Sequence, residues 1–269
     1  MAGAAWAQTG ARFAVPDATP PAGPGNTIQG VVLAEDFADI TTLAGAGWSL
    51  QNLSNPLGTT DWFQGNDTVF PAQAGAPTAY IGANFNNTAG GTGVISNWLL
   101  TPQVNFGTGA ELRFWTRVPT GGSTFPDRLE VRLSANGAST DVGASETSVG
   151  DFTVLLTTIN PSLIASAGTC PPGAGGYPEV WCEIVLGNAD GIPAAGSGRL
   201  AFRYFVTDAG PSGANSNFIG IDTVSFDEGT TGVQLPPPPS IPTLNTIGLA
   251  LLVMVLLATV FIVRRRRHV

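Results

Sequence analysis

The feature that most constrains this chain is an apolar run near its C-terminus, residues 247–263, which contains no charge and no proline. Counted from residue 244, the run is about 20 residues long, and at 1.5 Å per residue a helix of that length spans a hydrocarbon core of about 30 Å. Four arginines follow at once: Arg264, Arg265, Arg266 and Arg267. We predict a transmembrane helix over 244–263 with its arginine block in the cytoplasm as a stop-transfer signal. The alternative is a buried core helix, which is rarely apolar all round.

The preceding residues have the composition of an all-β domain. Charged residues make up only 11% of the chain, and 35 glycines and 21 prolines supply turns. Short apolar segments recur between these turns, and several alternate with a period of two, as in Arg128-Leu129-Glu130-Val131-Arg132. Nine strands are predicted: 31–37, 78–85, 93–101, 111–118, 128–134, 152–159, 181–186, 199–207 and 218–226. Strands at this spacing predict a β-sandwich.

Composition also divides the chain into segments. Residues 1–30 are predicted to be the remnant of a signal peptide and a disordered leader, since Ala5-Trp6-Ala7 has the form of a cleavage site and prolines and glycines follow. The sandwich is expected over 31–228. Residues 229–240, with four consecutive prolines, are predicted to be a stiff linker. The tail then covers 241–269.

The two cysteines, Cys170 and Cys182, stand close together in a glycine- and proline-rich segment. Outside the cytoplasm two such thiols are predicted to form a disulfide, which by a loop-entropy model stabilises the fold by about 3 kcal/mol. Two unpaired buried thiols are the alternative. No histidine lies near them, so they do not indicate a zinc site.

Charge and residue content exclude several functions. The chain has no lysine, and the part before the tail carries seven arginines and all nineteen acids, a net charge of −12. Such a surface repels nucleic acid. The only histidine is His268, on the cytoplasmic side of the predicted helix, so no Ser-His or Ser-Lys pair is available outside. Two carboxylates remain a possible catalytic pair, for which Asp127 and Glu130 are candidates. Glu130 is more simply read as a solvated residue on an alternating strand, so no catalytic residue is assigned.

The tail resembles the IPTL-CTERM sorting signals of Gram-negative bacteria. The resemblance rests on a four-residue motif and a glycine ahead of the apolar run and the basic block; these residues are Ile241, Pro242, Thr243, Leu244 and Gly248. The family has a tryptophan where this chain has Ile247. The resemblance implies recognition and processing by a membrane-embedded exosortase, with the inner membrane as first location. The protein is thus expected to be exported, with its N-terminus outside, and then held at or released from the cell surface.

The domain resembles the choice-of-anchor J domains, which are related to the cleaved-adhesin and MAM-like jelly rolls. The similar segments, over residues 33–227, include Glu35-Asp36-Phe37, Trp62-Phe63-Gln64-Gly65-Asn66, Ser96-Asn97-Trp98-Leu99-Leu100-Thr101-Pro102, Phe114-Trp115-Thr116-Arg117 and Gly220-Ile221-Asp222-Thr223-Val224. The resemblance implies a jelly-roll β-sandwich of the concanavalin type on an anchored surface protein. It does not imply a particular ligand.

The resemblance also implies a structural calcium ion that joins an acid of the first strand to an aspartate of the last. Glu35, Asp36 and Asp222 stand at these positions. Calcium prefers carboxylate and carbonyl oxygens, and acids brought together without lysine would repel each other unless a cation lay between them. The alternative is that Asp222 caps a turn or pairs with an arginine such as Arg203.

The tryptophans are the remaining signal for ligand binding. Core packing is the default for most of them, but a tryptophan on a sheet face beside Asn84, Asn86 or Arg117 would form a platform for sugars. We expect a non-catalytic adhesion or recognition module whose partner is a surface or matrix glycan. The alternatives are a carbohydrate-active enzyme or its accessory module, and a structural matrix component without a discrete ligand. The sequence assigns no ligand-binding residues. The tryptophans considered are Trp48, Trp62, Trp98, Trp115 and Trp181.

Overall fold

The computed structural model describes residues 27–90 and 92–231, and this part of the chain is all-β. Its helices are four 3-10 turns of three residues each, and no helix here is long and apolar enough to cross a membrane. The strands are β1 Thr27–Glu35, β2 Ser49–Asn52, β3 Phe63–Gln64, β4 Ile81–Asn84, β5 Gly93–Leu100, β6 Val104–Phe106, β7 Glu111–Arg117, β8 Leu129–Ser134, β9 Val154–Ile159, β10 Cys182–Gly187, β11 Gly196–Ala209 and β12 Phe218–Thr231.

The first sheet has six antiparallel strands built around β12. Its order is β10-β7-β12-β4-β3, and β1 pairs with the C-terminal part of β12. One edge of β12 therefore follows β7, while its other edge pairs first with β4 and then with β1. This register sets Glu35 opposite Val224 and Arg117 opposite Gly220.

The second sheet is built in the same way around β11. Its order is β2-β5-β11-β8-β9, with β6 paired to the start of β11. Arg203 in β11 lies between Trp98 of β5 and Glu130 of β8. The two sheets pack face to face, since the Phe114 ring of one and the Phe202 ring of the other lie 4.9 Å apart between centroids. The prediction of a two-sheet β-sandwich is confirmed.

The alternating strands place their apolar residues in the core as predicted. Leu129, Val131 and Leu133 of β8 are fully buried between the sheets. Each such side chain contributes about 1.5–3 kcal/mol through burial. The inner face of β8 is thus fixed by the period of two in its sequence.

The outer face of β8 is covered, so the interpretation of Glu130 as a solvated residue was wrong. The segment between β8 and β9 folds over the outer face of the second sheet, where Val142 and Phe152 pack on Trp98. Beneath it Glu130 is only 8% exposed and forms ion pairs with Arg132 at 2.7 Å and Arg203 at 3.2 Å. A buried carboxylate needs such partners, because desolvation penalises its charged form.

The outer face of the first sheet is also partly covered. The segment between β3 and β4 lays the Phe70 ring directly over Gly220, where a Cβ atom would approach the ring to 2.9 Å. Phe70 packs with Tyr80 and Phe218, and the Arg117 guanidinium lies 4.5 Å from the Phe70 centroid. Glycine at 220 is required for this close approach.

The predicted disulfide is confirmed. Cys170 and Cys182 are bonded at 2.09 Å, which ties the segment before β10 to the first residue of that strand. The same segment is anchored by Tyr177, whose hydroxyl lies 2.6 Å from that of Thr116 in the core. The alternative of two free thiols was wrong.

The predicted terminal segments fall mostly outside the described residues. This holds for most of the leader 1–30, most of the linker 229–240, the sorting motif 241–244 and the membrane helix 244–263. At the margins, β1 begins at Thr27 and β12 ends at Thr231, so strand structure reaches beyond the predicted limits of 31–228 on both sides.

Candidate functional site

A polar cleft lies at the end of the sandwich where β2, β4 and β11 end and where β5 and β12 begin. It consists of two adjoining hollows of about 450 and 340 Å³, which share Asn52 and Leu57. Leu57 is 62% exposed and supplies an apolar side chain to both hollows. We call this region the polar cleft; the other side chains with polar atoms that line it belong to Ser54, Asn55, Thr59, Thr60, Asp61, Ser145 and Glu146.

One wall of the polar cleft is the segment that follows β2. Its backbone is held in place by neighbouring strands: Asn55 forms an antiparallel bridge with Val94, and Thr59 donates to the main-chain oxygen of Asn86 at 3.0 Å. The Asn52 amide donates to the main-chain oxygens of Thr60 and Asn87, both at 3.1 Å. Asn52 therefore shapes the wall, because its own amide is already engaged.

The opposite wall is the Ala144–Glu146 part of the segment that covers the second sheet. Beneath the cleft, the buried Arg203 guanidinium connects this wall to the sheet, since its Nη2 donates to the main-chain oxygen of Glu146 at 2.5 Å. Its Nε and Nη2 also donate to Ser96 Oγ, at 3.1 and 3.0 Å. The backbone N–H of Ser96 donates to Ser54 Oγ on the first wall at 3.0 Å. Both walls are thus fixed from below, as preorganised binding requires.

Several lining side chains are left available to a ligand. Within residues 27–90 and 92–231, the side chains of Asn55, Thr59 and Glu146 form no hydrogen bond. They offer an amide, a hydroxyl and a carboxylate along the cleft. Such groups bind hydroxyl-rich molecules by directed hydrogen bonds.

The electrostatics of the polar cleft are negative. Among the described residues, Asp61 and Glu146 are its charged lining residues, and no arginine lines it. Desolvation raises the pKa of Asp61, and the hydrogen bond from the Trp62 backbone N–H partly offsets this. Burial lowers the pKa of Arg203 to about 10, an effect that Glu130 opposes, so Arg203 is still a cation at neutral pH. Its guanidinium bonds to the Glu130 carboxylate and to the main-chain oxygen of Glu146, and its side chain does not line the cleft.

The residues predicted to surround a sugar platform fall in two places. Asn84 lies behind the polar cleft, where its Oδ1 accepts from the Thr60 hydroxyl at 3.0 Å. Arg117 lies beside the partly exposed Trp115 on the outer face of β7, so the predicted combination of a tryptophan and Arg117 on one sheet face occurs there. Trp48, Trp62 and Trp98 are buried, as expected, and Trp181 is partly exposed beside Phe70.

The residues predicted to bind calcium lie in or next to β1 and β12, which pair with each other. Glu35 and Asp36 each accept one hydrogen bond, from the backbone N–H groups of Phe37 and Ala38. Asp222 uses both oxygens: Oδ2 accepts from the N–H groups of Gln73 and Ala74, and Oδ1 accepts from the N–H of Thr223. The Thr223 hydroxyl lies 2.9 Å from Gln73 Oε1 and 3.2 Å from Asp222 Oδ1, and its one proton serves one of them.

Three backbone N–H groups thus bond to the Asp222 carboxylate, which leaves it lone pairs for a further partner. Among the described residues no three acids, histidines or cysteines form a group that could hold a metal. Amide and carbonyl oxygens also bind calcium, so the site is still a prediction. No part of the proposed function depends on it.

The candidate carboxylate pair does not share a site. Asp127 is fully buried and its Oδ1 accepts from the Tyr204 hydroxyl at 2.5 Å. Glu130 bonds to Arg203. Arg203 and Tyr204 are successive residues of β11, so their side chains point to opposite faces of the sheet. One substrate cannot lie between two carboxylates on opposite faces.

The residues that line the polar cleft were not predicted from the sequence. Asn55, Thr59, Ser145 and Glu146 stand in irregular segments whose polarity is that of ordinary turns. The only sequence signal was the concentration of amides and hydroxyls over residues 52–61, and it did not reveal that residues 144–146 lie opposite.

No family model matches the chain, and no curated protein matches it. Among solved structures, it is similar to the K1 cleaved adhesin domain of Lys-gingipain from Porphyromonas gingivalis, with 20% identity over 72% of this chain and 96% of that one and a TM-score of 0.45. The K2 cleaved adhesin domain of Lys-gingipain gives 19% identity, 73% and 98% coverage and a TM-score of 0.47. A carbohydrate-binding module of the β-sandwich superfamily is 10% identical over 71% of this chain and 61% of that one, with a TM-score of 0.37. At such low identity, ligand chemistry has to be inferred from the cleft residues.

Proposed function

We propose that this protein is a non-catalytic recognition module that binds a neutral glycan in the polar cleft. The observation that carries the proposal is the pair of adjoining hollows whose walls are both fixed by Arg203 and Ser96 and whose lining offers unengaged hydrogen-bonding side chains. A sugar chain presents hydroxyls at regular intervals, which suits the amide of Asn55, the hydroxyl of Thr59 and the carboxylate of Glu146. Leu57, which lines both hollows, would contact an apolar sugar face.

The charge of the cleft supports a neutral ligand. Uronic-acid or sulfated chains would bring anions next to Asp61 and Glu146 with no cation in the lining to compensate. The six arginines of the described residues do not line the cleft: Arg203 is buried beneath it with Glu130 as its ion-pair partner, and Arg199 and Arg128 donate to the main-chain oxygens of Thr101 and Phe205.

A binding role is favoured over catalysis by the same geometry. The described residues contain no histidine and no lysine. The two cleft acids lie in different hollows, Asp61 in one and Glu146 in the other. A carbohydrate-active enzyme would need two acids on either side of one glycosidic bond.

The sequence resemblances complete the proposal. We propose a choice-of-anchor J type jelly roll that is exported and held by the helix 244–263, with the tail from Ile241 recognised by an exosortase-type enzyme. The part of the predicted linker after β12, residues 232–240, would hold the domain clear of the inner membrane. The statements on export, linker and tail rest on sequence, since residues 232–269 lie outside those described.

A glycan array tests the proposal directly. The full-length chain in a sugar-free detergent is applied to immobilised neutral and anionic oligosaccharides, beside the double variant Asn55→Ala/Glu146→Ala and the control variant Asp67→Asn, which changes an exposed acid outside the cleft. We expect binding to neutral glycans by the wild type and the control and its loss in the double variant. Release of shortened products would indicate an enzyme, and a uniformly negative array would indicate a structural component.

A further inference from the structure

A separate hollow of about 280 Å³ lies at the same end of the sandwich. It shares no lining residue with either hollow of the polar cleft. Its apolar lining consists of Phe85 after β4, Phe125 before β8 and Pro211 in the turn between β11 and β12. Phe125 is 49% exposed. A ring in this position leaves apolar area in contact with water, at a cost proportional to that area.

The hollow is held rigidly by the buried interior. The backbone N–H of Asn217 donates to the buried carboxylate of Asp127 at 2.8 Å, and its amide nitrogen donates to the main-chain oxygen of Gly122 at 3.1 Å. Its main-chain oxygen accepts from the N–H of Phe85 at 3.0 Å. The N–H of Ser216 donates to the main-chain oxygen of Pro126 at 3.0 Å, next to Phe125. The backbone beside the two rings is therefore held in place.

The lining combines apolar faces with one unused acceptor. Within the described part of the chain, Asn217 Oδ1 accepts no hydrogen bond, and no charged side chain lines the hollow. The volume is below the roughly 300–1,000 Å³ of sites for larger organic ligands. A single sugar ring fits this chemistry, because one face of the ring carries C–H groups and its edge carries hydroxyls. An aliphatic peptide side chain would leave Asn217 Oδ1 without a partner.

We propose that the hollow formed by Phe85, Phe125, Pro211 and Asn217 is a second carbohydrate site, separate from the polar cleft, which takes one neutral sugar ring. The ring stacks on Phe125 and Phe85, and a hydroxyl donates to Asn217 Oδ1. The site shares a ligand class with the proposed function but does not depend on binding in the cleft. Its presence would let one domain hold two points of a polysaccharide and gain avidity.

Native affinity electrophoresis in gels that contain hydroxyethyl cellulose, lichenan, xylan or galactomannan tests the second site. The full-length chain in a sugar-free detergent is compared with Phe125→Ala, Phe125→Trp, and Leu155→Ala, a control that removes another exposed apolar side chain, 47% exposed on β9. We expect Phe125→Ala to weaken retardation about tenfold in at least one gel. Phe125→Trp should retain binding, and Leu155→Ala should behave as wild type.

The outcomes separate this site from the polar cleft. If Phe125→Ala migrates as Leu155→Ala does in every gel while Asn55→Ala/Glu146→Ala loses retardation, the second site is overturned and the proposed function stands. Loss in Phe125→Ala alone supports the second site and contradicts the cleft. If no polysaccharide retards the wild type, both are overturned. An unchanged circular dichroism melting curve for Phe125→Ala shows that the variant is folded.

Discussion

Arg203 lies fully buried on the outer face of the second sheet and donates a hydrogen bond to the main-chain oxygen of Glu146 at 2.5 Å. Its guanidinium also lies 4.8 Å from the centroid of the Trp98 ring and 3.8 Å from that of Phe205. One side chain thus joins the sheet to the wall of the polar cleft. We therefore expect stability and glycan binding to be coupled at this residue.

We expect Arg203→Met to lower the free energy of unfolding by about 3 kcal/mol, because Glu130 is left buried with only Arg132 as its partner. The wall at Glu146 loses its anchor, so glycan binding weakens as well. Chemical denaturation and the glycan array measure the two effects. The matched control is Arg132→Gln, which leaves the bonds of Arg203 in place and should lower stability less and spare binding. Equal losses of binding in both variants would contradict this role of Arg203.

The buried Asp127 carboxyl should make stability depend on pH. Burial raises its pKa to about 7 from an ordinary 3.8, although the N–H of Asn217 and the Tyr204 hydroxyl partly oppose this. Between these pH values the folded chain keeps a proton that the unfolded chain releases. The stabilisation is therefore complete below pH 3.8 and is lost as the pH rises to about 7. Burial also raises the pKa of Tyr204 and Tyr177, which stay neutral throughout.

Asp127→Asn removes this titration while it keeps an acceptor for Tyr204 and Asn217. The stability of the variant relative to wild type should rise from pH 4 to pH 8, by up to about 4 kcal/mol, and then level off. Urea unfolding at a series of pH values measures the free energy of unfolding of each protein. In the difference between the two, the contributions of the other acids cancel. A difference that does not change with pH would show that Asp127 does not titrate in this range.

Asp222 is expected to cap the segment between β3 and β4 whether or not calcium is present. Asp222→Asn should lower stability by about 1–3 kcal/mol, since the amide nitrogen replaces an acceptor for the N–H groups of Gln73 or Thr223. Melting scans of wild type and variant are run with calcium and with EGTA. We expect the same loss in both conditions. A loss seen only with calcium would contradict the capping role and support an ion at Glu35, Asp36 and Asp222.

The acidic lining of the polar cleft predicts discrimination by charge. Wild type should bind neutral oligosaccharides and fail to bind polygalacturonate at low salt, where unscreened repulsion from Asp61 and Glu146 is strongest. Asp61→Asn/Glu146→Gln should reduce this discrimination, while Asp67→Asn outside the cleft should not. The ratio of the two affinities is the measurement. Tight binding of polygalacturonate by wild type would exclude a neutral glycan as the preferred ligand.

The sequence predicted the sheets better than their coverings. Alternation in β8 and β11 identified the inner residues, and the predicted strands overlap nine of the observed twelve. Strand β3, with only two residues, is too short for a periodic pattern to appear. The covering of Glu130 could not be predicted either, because Val142 and Phe152 are isolated apolar residues in an irregular segment.

The candidate site could not be predicted from the sequence for a related reason. Asn55 and Glu146 are 91 positions apart, and the buried Arg203 joins the main-chain oxygen of Glu146 to Ser96, whose N–H bonds to Ser54 next to Asn55. From the sequence, Arg203 was considered only as a partner of Asp222, and a charge on an alternating strand predicts exposure to solvent. A pattern along one strand carries no information on a segment that folds over it.

The most direct test of the glycan-binding claim is a calorimetric titration of the full-length chain with the neutral hexasaccharide that binds best on the array. Wild type is compared with Asn55→Ala/Glu146→Ala, which removes two cleft-lining side chains that form no hydrogen bond within residues 27–90 and 92–231. We expect at least about tenfold weaker binding by the variant, since each hydrogen bond to a charged group contributes about 1.5–3 kcal/mol. Equal affinities in the two proteins, at equal stability, would contradict glycan binding in the polar cleft.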